Sequence, residues 1–196
     1  MSEKPPLLLH ICCGPCGGGC IERLLAEKRH FRLYYSNSNL VDAGEFEKRL
    51  ASVEVLAKHY DIPLEVDPYR HEAWQMAVQG FEREPEGGRR CQRCFYFNLM
   101  RTAQAAARCG ENFATTLTVS PRKKSSLIFA AGELADAQHF EAWDFKKRDG
   151  YTASCRIARE LELYRQNFCG CTRRSDGQVT DILTDKPDFE DKKENL

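Results

Sequence analysis

Ten cysteines punctuate the 196-residue chain, and most of them fall in groups: Cys12, Cys13, Cys16 and Cys20; then Cys91 and Cys94; then Cys169 and Cys171. Clustered thiols in a reducing compartment are more often metal ligands or redox catalysts than structural disulfides. Adjacent residues of a strand point to opposite faces, so Cys12 and Cys13 can share a metal only where the strand has ended, and Gly14-Pro15 supplies that break. Cys91-Gln92-Arg93-Cys94 is a tight CxxC at a predicted helix N-terminus, where unpaired N–H groups favour thiolate. Cys12, Cys13, Cys91 and Cys94 together offer four thiolates, enough for a tetrahedral zinc or a four-iron cluster. Cys16 is left uncommitted, three residues beyond Cys13, and suits a second metal next to the first. Cys169-Gly170-Cys171 reads as a redox-active pair or as extra ligands. Cys20, Cys109 and Cys155 are expected as small core residues.

The elements that must carry these thiols follow from periodicity. Leu7 to Ile11 is a short apolar run, a buried strand that breaks into the Cys-Cys-Gly-Pro turn. Ile21 to Lys28 has helical character, and Phe31 to Tyr35 reads as a second strand ending in the polar loop Ser36 to Asn39. From Gly44 to Tyr60 apolar residues recur at steps of three and four, which predicts an amphipathic helix. Ile62 to Val66 is a third strand, Cys94 to Arg108 a helix, and Asn112 to Val119 a fourth strand closed by Ser120-Pro121. Helices are predicted over Ser125 to Ala137 and Thr152 to Tyr164, with a fifth strand from His139 to Trp143 between them. Such alternation implies an α/β fold: a parallel sheet with helices on both faces. Ligands of these sheets bind beyond the carboxyl ends of the strands, so the metal site belongs on that edge. Gly17-Gly18-Gly19 is expected to let the backbone approach a bulky or anionic group. Residues 1–184 read as one domain and 185–196 as a charged, disordered tail.

Lys plus Arg and Asp plus Glu both number 29, a balance that argues against nonspecific coating of nucleic acid. Local basic clusters remain: Arg89, Arg90, Arg93 and Arg101; Arg122, Lys123 and Lys124; Lys146, Lys147 and Arg148. No run is apolar enough for a membrane span, and no secretory leader can be drawn at the start, so a cytoplasmic setting is expected.

Several segments together resemble the QueH-type epoxyqueuosine reductases. They are Leu8 to Cys16, Glu45-Phe46-Glu47-Lys48-Arg49, Arg90 to Cys94, Thr115 to Pro121, and Glu160 to Cys171. The resemblance implies a Rossmann-like domain of the HUP/PP-loop type that binds a [4Fe-4S] cluster, with Cys12, Cys13, Cys91 and Cys94 as candidate ligands. It also implies a second mononuclear metal ion, expected to be iron, that Cys16 helps to hold. Cys169 and Cys171 correspond to the family's own pair, as a redox-active disulfide or as site ligands. The implied reaction is reduction of the epoxide of epoxyqueuosine to queuosine at the wobble position of tRNA, with an electron donor as a further partner. Asn37, Asn39, Ser120, Arg122 and Arg165 are the candidate substrate and tRNA contacts. The loop after strand two departs from the family's Tyr-Asn-Pro-Asn-Ile: here it is Ser36-Asn37-Ser38-Asn39-Leu40. An ATP-dependent PP-loop enzyme would need a Ser-Gly-Gly-x-Asp-Ser loop where Cys12 to Cys16 stands. A zinc-braced binding module is the remaining alternative.

Overall fold

In the computed structural model, which describes residues 4–171, the sheet has four parallel strands in the order β3-β2-β1-β4. β1 (Leu7–Ile11) pairs with β2 (Phe31–Tyr35) on one side and β4 (Asn112–Thr115) on the other, and β3 (Leu64–Val66) extends the sheet beyond β2. A central parallel strand has no wet face. Every residue of β1 is buried, which is why its sequence is apolar apart from His10.

Helices α1 (Gly14–Ala26), α2 (Ala43–His59) and α6 (Gly150–Glu160) bury one face of the sheet around Leu9, Ile11, Leu33 and Leu56. α4 (Arg89–Ala107) and α5 (Ser125–Asp136) bury the other around Leu8, Leu99 and Phe113, with α3 (His71–Ala77) ahead of them. The expected α/β architecture with both faces covered is therefore present. The chain leaves β1 for β2 in one direction, whereas β4 returns on β1's other side, so strand order reverses between β1 and β4. The crevice past the carboxyl ends of those two strands is where such sheets take ligands.

The structure departs from the sequence reading in three places. α1 begins at Gly14, so the glycine run lies inside a helix rather than in a loop beside a ligand. A Cβ at Gly19 would overlap the Gly150 carbonyl oxygen, and one at Gly18 would lie 2.8 Å from Ile157 Cγ2. Gly18 and Gly19 let α6 pack close against α1, and Gly17 makes room for Ile11 and Leu56. The fourth strand stops at Thr115, where Thr115 Oγ1 accepts from the Leu117 N–H (3.1 Å) and starts a 3-10 turn, Thr116–Val119. The fifth strand shrinks to one bridge between Phe113 and Phe140. Glu141 ends it, because its carboxylate is drawn to Arg29 (2.6 Å), Asn112 (2.8 Å) and Trp143 (2.9 Å) and the chain turns there. The proposed tail over 185–196 lies outside the described residues. Among the described residues no helix is long and apolar enough to cross a membrane.

Candidate functional site

β1 delivers its last residue, Ile11, to the switch point, and Cys12 follows it out of the sheet. Cys13 is the N-cap of α1 in extended conformation, with Pro15 in the first turn. Proline is favoured there because its missing N–H would be unpaired anyway. The turn of helix brings Cys16 round, so the sulfurs of Cys12, Cys13 and Cys16 all lie within 4.8 Å of one another. The first turn of α1 holds no acidic residue to compete for its free N–H groups.

Two buried polar residues fix this corner. Asn37 donates from Nδ2 to the Cys12 carbonyl at 2.7 Å. His10 lies between Thr115 Oγ1 (2.8 Å) and the Ser36 carbonyl (2.9 Å). Burial lowers its pKa to about 4, so it is neutral at pH 7. A carbonyl only accepts, which puts the proton on Nε2 and leaves Nδ1 to accept from the threonine hydroxyl. His10 is thus the satisfied core histidine that a buried strand predicts.

The thiols of this corner share protons unequally. Hydrogen bonds from the Cys12 and Cys16 thiols hold Cys13 well below the usual cysteine range against the effect of burial, with the Arg49 charge and the Gln166 amide adding to it. The same hydrogen bonds push Cys16 well above that range, and the bond to Cys13 raises Cys12. One thiolate fed by two thiol protons is a donor set for a soft cation, which would replace both protons. The residues fit a metal–thiolate centre on that ground.

A second set of thiols surrounds a cavity of about 270 Å³ next to it. Cys91 and Cys94 lie in the first turns of α4, where the Gly87 N–H reaches Cys91 Sγ at 3.2 Å and Asn98 Nδ2 reaches Cys94 Sγ at 3.6 Å. Burial, then the charge at Cys169, pushes Cys94 up to about 12. Cys169 and Cys171 close the cavity from the chain end beyond α6. They are free thiols here, not a disulfide. The Cys171 thiol donates to Cys169 and pulls it down to about 6, with Lys123 and Arg49 as nearby cations. Lys123 also lines the cavity. Burial would lower its pKa, but charge at Cys12, Cys169, Cys16 and Cys13 raises it, so its ammonium faces both sets of thiols.

The tight group is therefore Cys12, Cys13 and Cys16. Cys91 and Cys94 sit on the wall of the cavity, Cys91 in the apolar cluster that Cys12 packs against and Cys94 in a separate one with Trp74 and Phe97, and Lys123 is near both Cys94 and Cys12. Of the candidate substrate contacts, Asn37 and Asn39 are turned inward, Asn39 accepting from Asn98 at 3.3 Å. Ser120 gives its carbonyl to Lys146 (3.5 Å), Arg165 reaches Cys155 Sγ (3.4 Å), and Arg122 is exposed at the cavity. Among the basic candidates, Arg101 is paired with Asp67, Arg89 with Glu84 and Arg148 with Glu27, while Arg90 and Lys124 line the cavity with Arg122. Cys20 is buried as expected, but Cys109 is exposed beside Arg32. Sequence reasoning gave no role to Trp74, Asn98 or Tyr164. Nor did it give one to Arg49, although the Glu45–Arg49 spacing on a helix is itself an ion-pair signal.

A doubly wound α/β protein with thiols gathered at its strand-order reversal has the donor set of a metal–thiolate or redox site there. The comparisons make this specific, and the chain belongs to the epoxyqueuosine reductase QueH family, whose model matches residues 7–175. It is similar to the epoxyqueuosine reductase QueH of Streptococcus pyogenes serotype M1, with 33% identity over 95% of this chain and 77% of that one. The protein of the same name from Thermotoga maritima is 35% identical over 84% of this chain and 88% of its own. That from Dehalococcoides mccartyi is 32% identical over 85% and 91%.

Proposed function

We propose that this chain reduces the epoxide of epoxyqueuosine at the wobble position of tRNA to the alkene of queuosine. The observation that carries the reading is the convergence of Cys12, Cys13 and Cys16 with a cavity walled by Cys91, Cys94, Cys169 and Cys171 in a member of this family. Removing an epoxide oxygen takes two electrons and two protons. A [4Fe-4S] cluster on Cys12, Cys13, Cys91 and Cys94, with a second metal ion (iron by expectation) held with the help of Cys16, would supply single electrons and a Lewis-acidic pull on oxygen.

The chain's own residues do the rest. The Gly87 N–H and the Asn98 side-chain amide donate to the sulfurs of Cys91 and Cys94, which orients both sulfurs for a metal. Asn37 holds the Cys12 carbonyl, so the sulfur it carries stays aimed past the end of β1. Cys169 and Cys171 sit at the cavity as a thiolate–thiol pair, able to hold one proton between them beside the reacting group. Lys123 offsets the negative charge that the thiolates bring together. Trp74 and Phe95 give the cavity planar apolar walls for a nucleoside, and Arg90, Arg122 and Lys124 give its mouth phosphate-binding cations. The setting that goes with a tRNA substrate and ten free thiols is the cytoplasm.

Anaerobic purification followed by iron and acid-labile sulfide analysis, then incubation with a chemical reductant and epoxyqueuosine-bearing tRNA, tests the reading. Brown, sulfide-containing protein that yields queuosine is expected. Colourless zinc protein without turnover would leave only the binding module.

A further inference from the structure

The segment after α6 carries Cys169 and Cys171 to the cavity, and a buried guanidinium holds it there. Arg49, on α2, is 4% exposed. Its Nε pairs with Glu45 Oε1 at 2.7 Å, one turn earlier on the same helix. Its Nη1 donates to the Cys169 carbonyl at 3.0 Å and its Nη2 to the Phe168 carbonyl at 3.2 Å. The Phe168 ring lies 5.4 Å from the guanidinium carbon, so the same group is also covered by an aromatic face. The second oxygen of Glu45 accepts from the Tyr164 hydroxyl at 2.8 Å, and the Tyr164 N–H donates to Ser52 Oγ at 3.1 Å. From the other side, the Val41 N–H donates to the Gly170 carbonyl at 3.0 Å. Gly170 has φ +89°, and a Cβ there would overlap Leu40 and lie 3.0 Å from Arg49 Nη2.

Two consecutive carbonyls captured by one planar fork fix the orientation of both peptide units that flank the Cys169 α-carbon. The geometry points to Arg49 as a positioning residue that docks the Cys169–Gly170–Cys171 segment at the cavity, with Glu45 orienting the guanidinium and Tyr164 orienting Glu45. The inference rests on the proposed reading that this thiol pair serves the reaction. It adds a cause for the pair's location. The segment has no helix or strand of its own, and without the fork the Phe168 and Cys169 carbonyls would lose these donors. A lysine would keep the charge of Arg49 but present a single ammonium, unable to reach Glu45 and both carbonyls in one plane.

Hydrogen–deuterium exchange on the full-length protein, read at Val41, whose N–H donates to the Gly170 carbonyl, and over residues 164–171, tests the docking without any turnover. Arg49→Gln is expected to speed exchange there by about tenfold, since two charged hydrogen bonds are removed, while β1 and α4 exchange as before. Tyr164→Phe, which removes a single hydroxyl, should speed the same segment by about threefold. Arg49→Lys should resemble Arg49→Gln, and full protection in Arg49→Lys would overturn the role of the fork. In the iron-loaded enzyme, Arg49→Gln and Arg49→Lys, the second of which keeps the charge near Cys13, should both lower kcat by about tenfold or more and leave KM for tRNA within about twofold. Local opening with unchanged kcat would overturn the positioning role, and so would absence of local opening in both Arg49→Gln and Tyr164→Phe. If Arg49→Gln exchanges faster throughout, Tyr164→Phe decides: opening confined to Val41 and residues 164–171 supports the docking, and none refutes it. Wild-type protein that fails to convert epoxyqueuosine would defeat the proposed function, while the exchange measurements would still decide the docking.

Discussion

Cys16 differs from Cys12 and Cys13 in belonging to the helix rather than to the turn, so its sulfur can be removed without changing how the chain leaves β1. Cys16→Ala is therefore expected to keep the four-iron absorbance of the reconstituted protein and to lower epoxide turnover by about tenfold or more. Unchanged turnover in a nucleoside assay would remove Cys16 from the mechanism. The position of this thiol was legible from its type and spacing, as were the CxxC and the CxC, because each depends on neighbours a few residues away. Arg49, Lys123 and Trp74 were not legible in the same way. Lys123 read as one of ten basic surface residues, and only the fold turns its ammonium toward sulfurs from both ends of the chain. Trp74 drew no role from its place in the sequence, yet it walls the cavity beside Cys94. The carbonyls that Arg49 holds are about 120 positions away, beyond any periodicity.

At the scale of elements, the parallel strands and their flanking helices were readable because each has a periodic apolar pattern, whereas the reason for the glycine run was not. Glycine reports that something approaches closely, without saying what, and here it is α6 rather than a ligand. Gly19→Ala should thus destabilise the fold by about 1–3 kcal/mol in urea unfolding while leaving the thiol content of the protein unaltered. A neutral effect would mean that α1 and α6 can part at no cost. The missing fifth strand has a similar logic. Its alternation was real, but Glu141 binds sideways to Arg29, Asn112 and Trp143 and stops the ladder. Burial alone would raise the Glu141 pKa, and the hydrogen bonds from those three residues overcome it and hold it below the usual glutamate value of 4.5. A carboxylate depressed in the folded state stabilises the fold above its unfolded pKa, and that contribution fades as pH falls through the folded value. Glu141→Gln should cost about 1–2 kcal/mol at neutral pH, since the half-buried Arg29 loses its opposite charge while keeping an amide acceptor. It should also flatten the loss of stability below pH 4.5, as read from urea midpoints across acid pH.

For the molecule as a whole, equal numbers of acidic and basic residues mean that the proposed tRNA substrate would be held by local charge rather than by a general field. The fold sorts the basic clusters that the sequence could only enumerate. Arg89, Arg101 and Arg148 are neutralised by Glu84, Asp67 and Glu27, and Lys146 spends its ammonium on the Ser120 and Lys123 carbonyls. Arg122, Lys123 and Lys124 line the cavity beside the thiols, together with Arg90, one of whose guanidinium nitrogens donates to the Glu82 carbonyl at 2.7 Å. Each phosphate that a cation neutralises releases counterions, which steepens the fall of affinity with salt. Replacing Arg122 and Lys124 together by alanine should weaken tRNA binding and reduce the slope of log affinity against log salt by about one unit for each phosphate no longer neutralised. Arg148→Ala should leave that slope where it was, because its partner already screens it. Titrations of the full-length protein with tRNA at several salt concentrations check both. An equal reduction for Arg148→Ala would spread the binding face across the back of the sheet and separate it from the thiols. A reduction confined to Arg122 and Lys124 would make the same edge responsible for holding the anticodon and for the chemistry done on it.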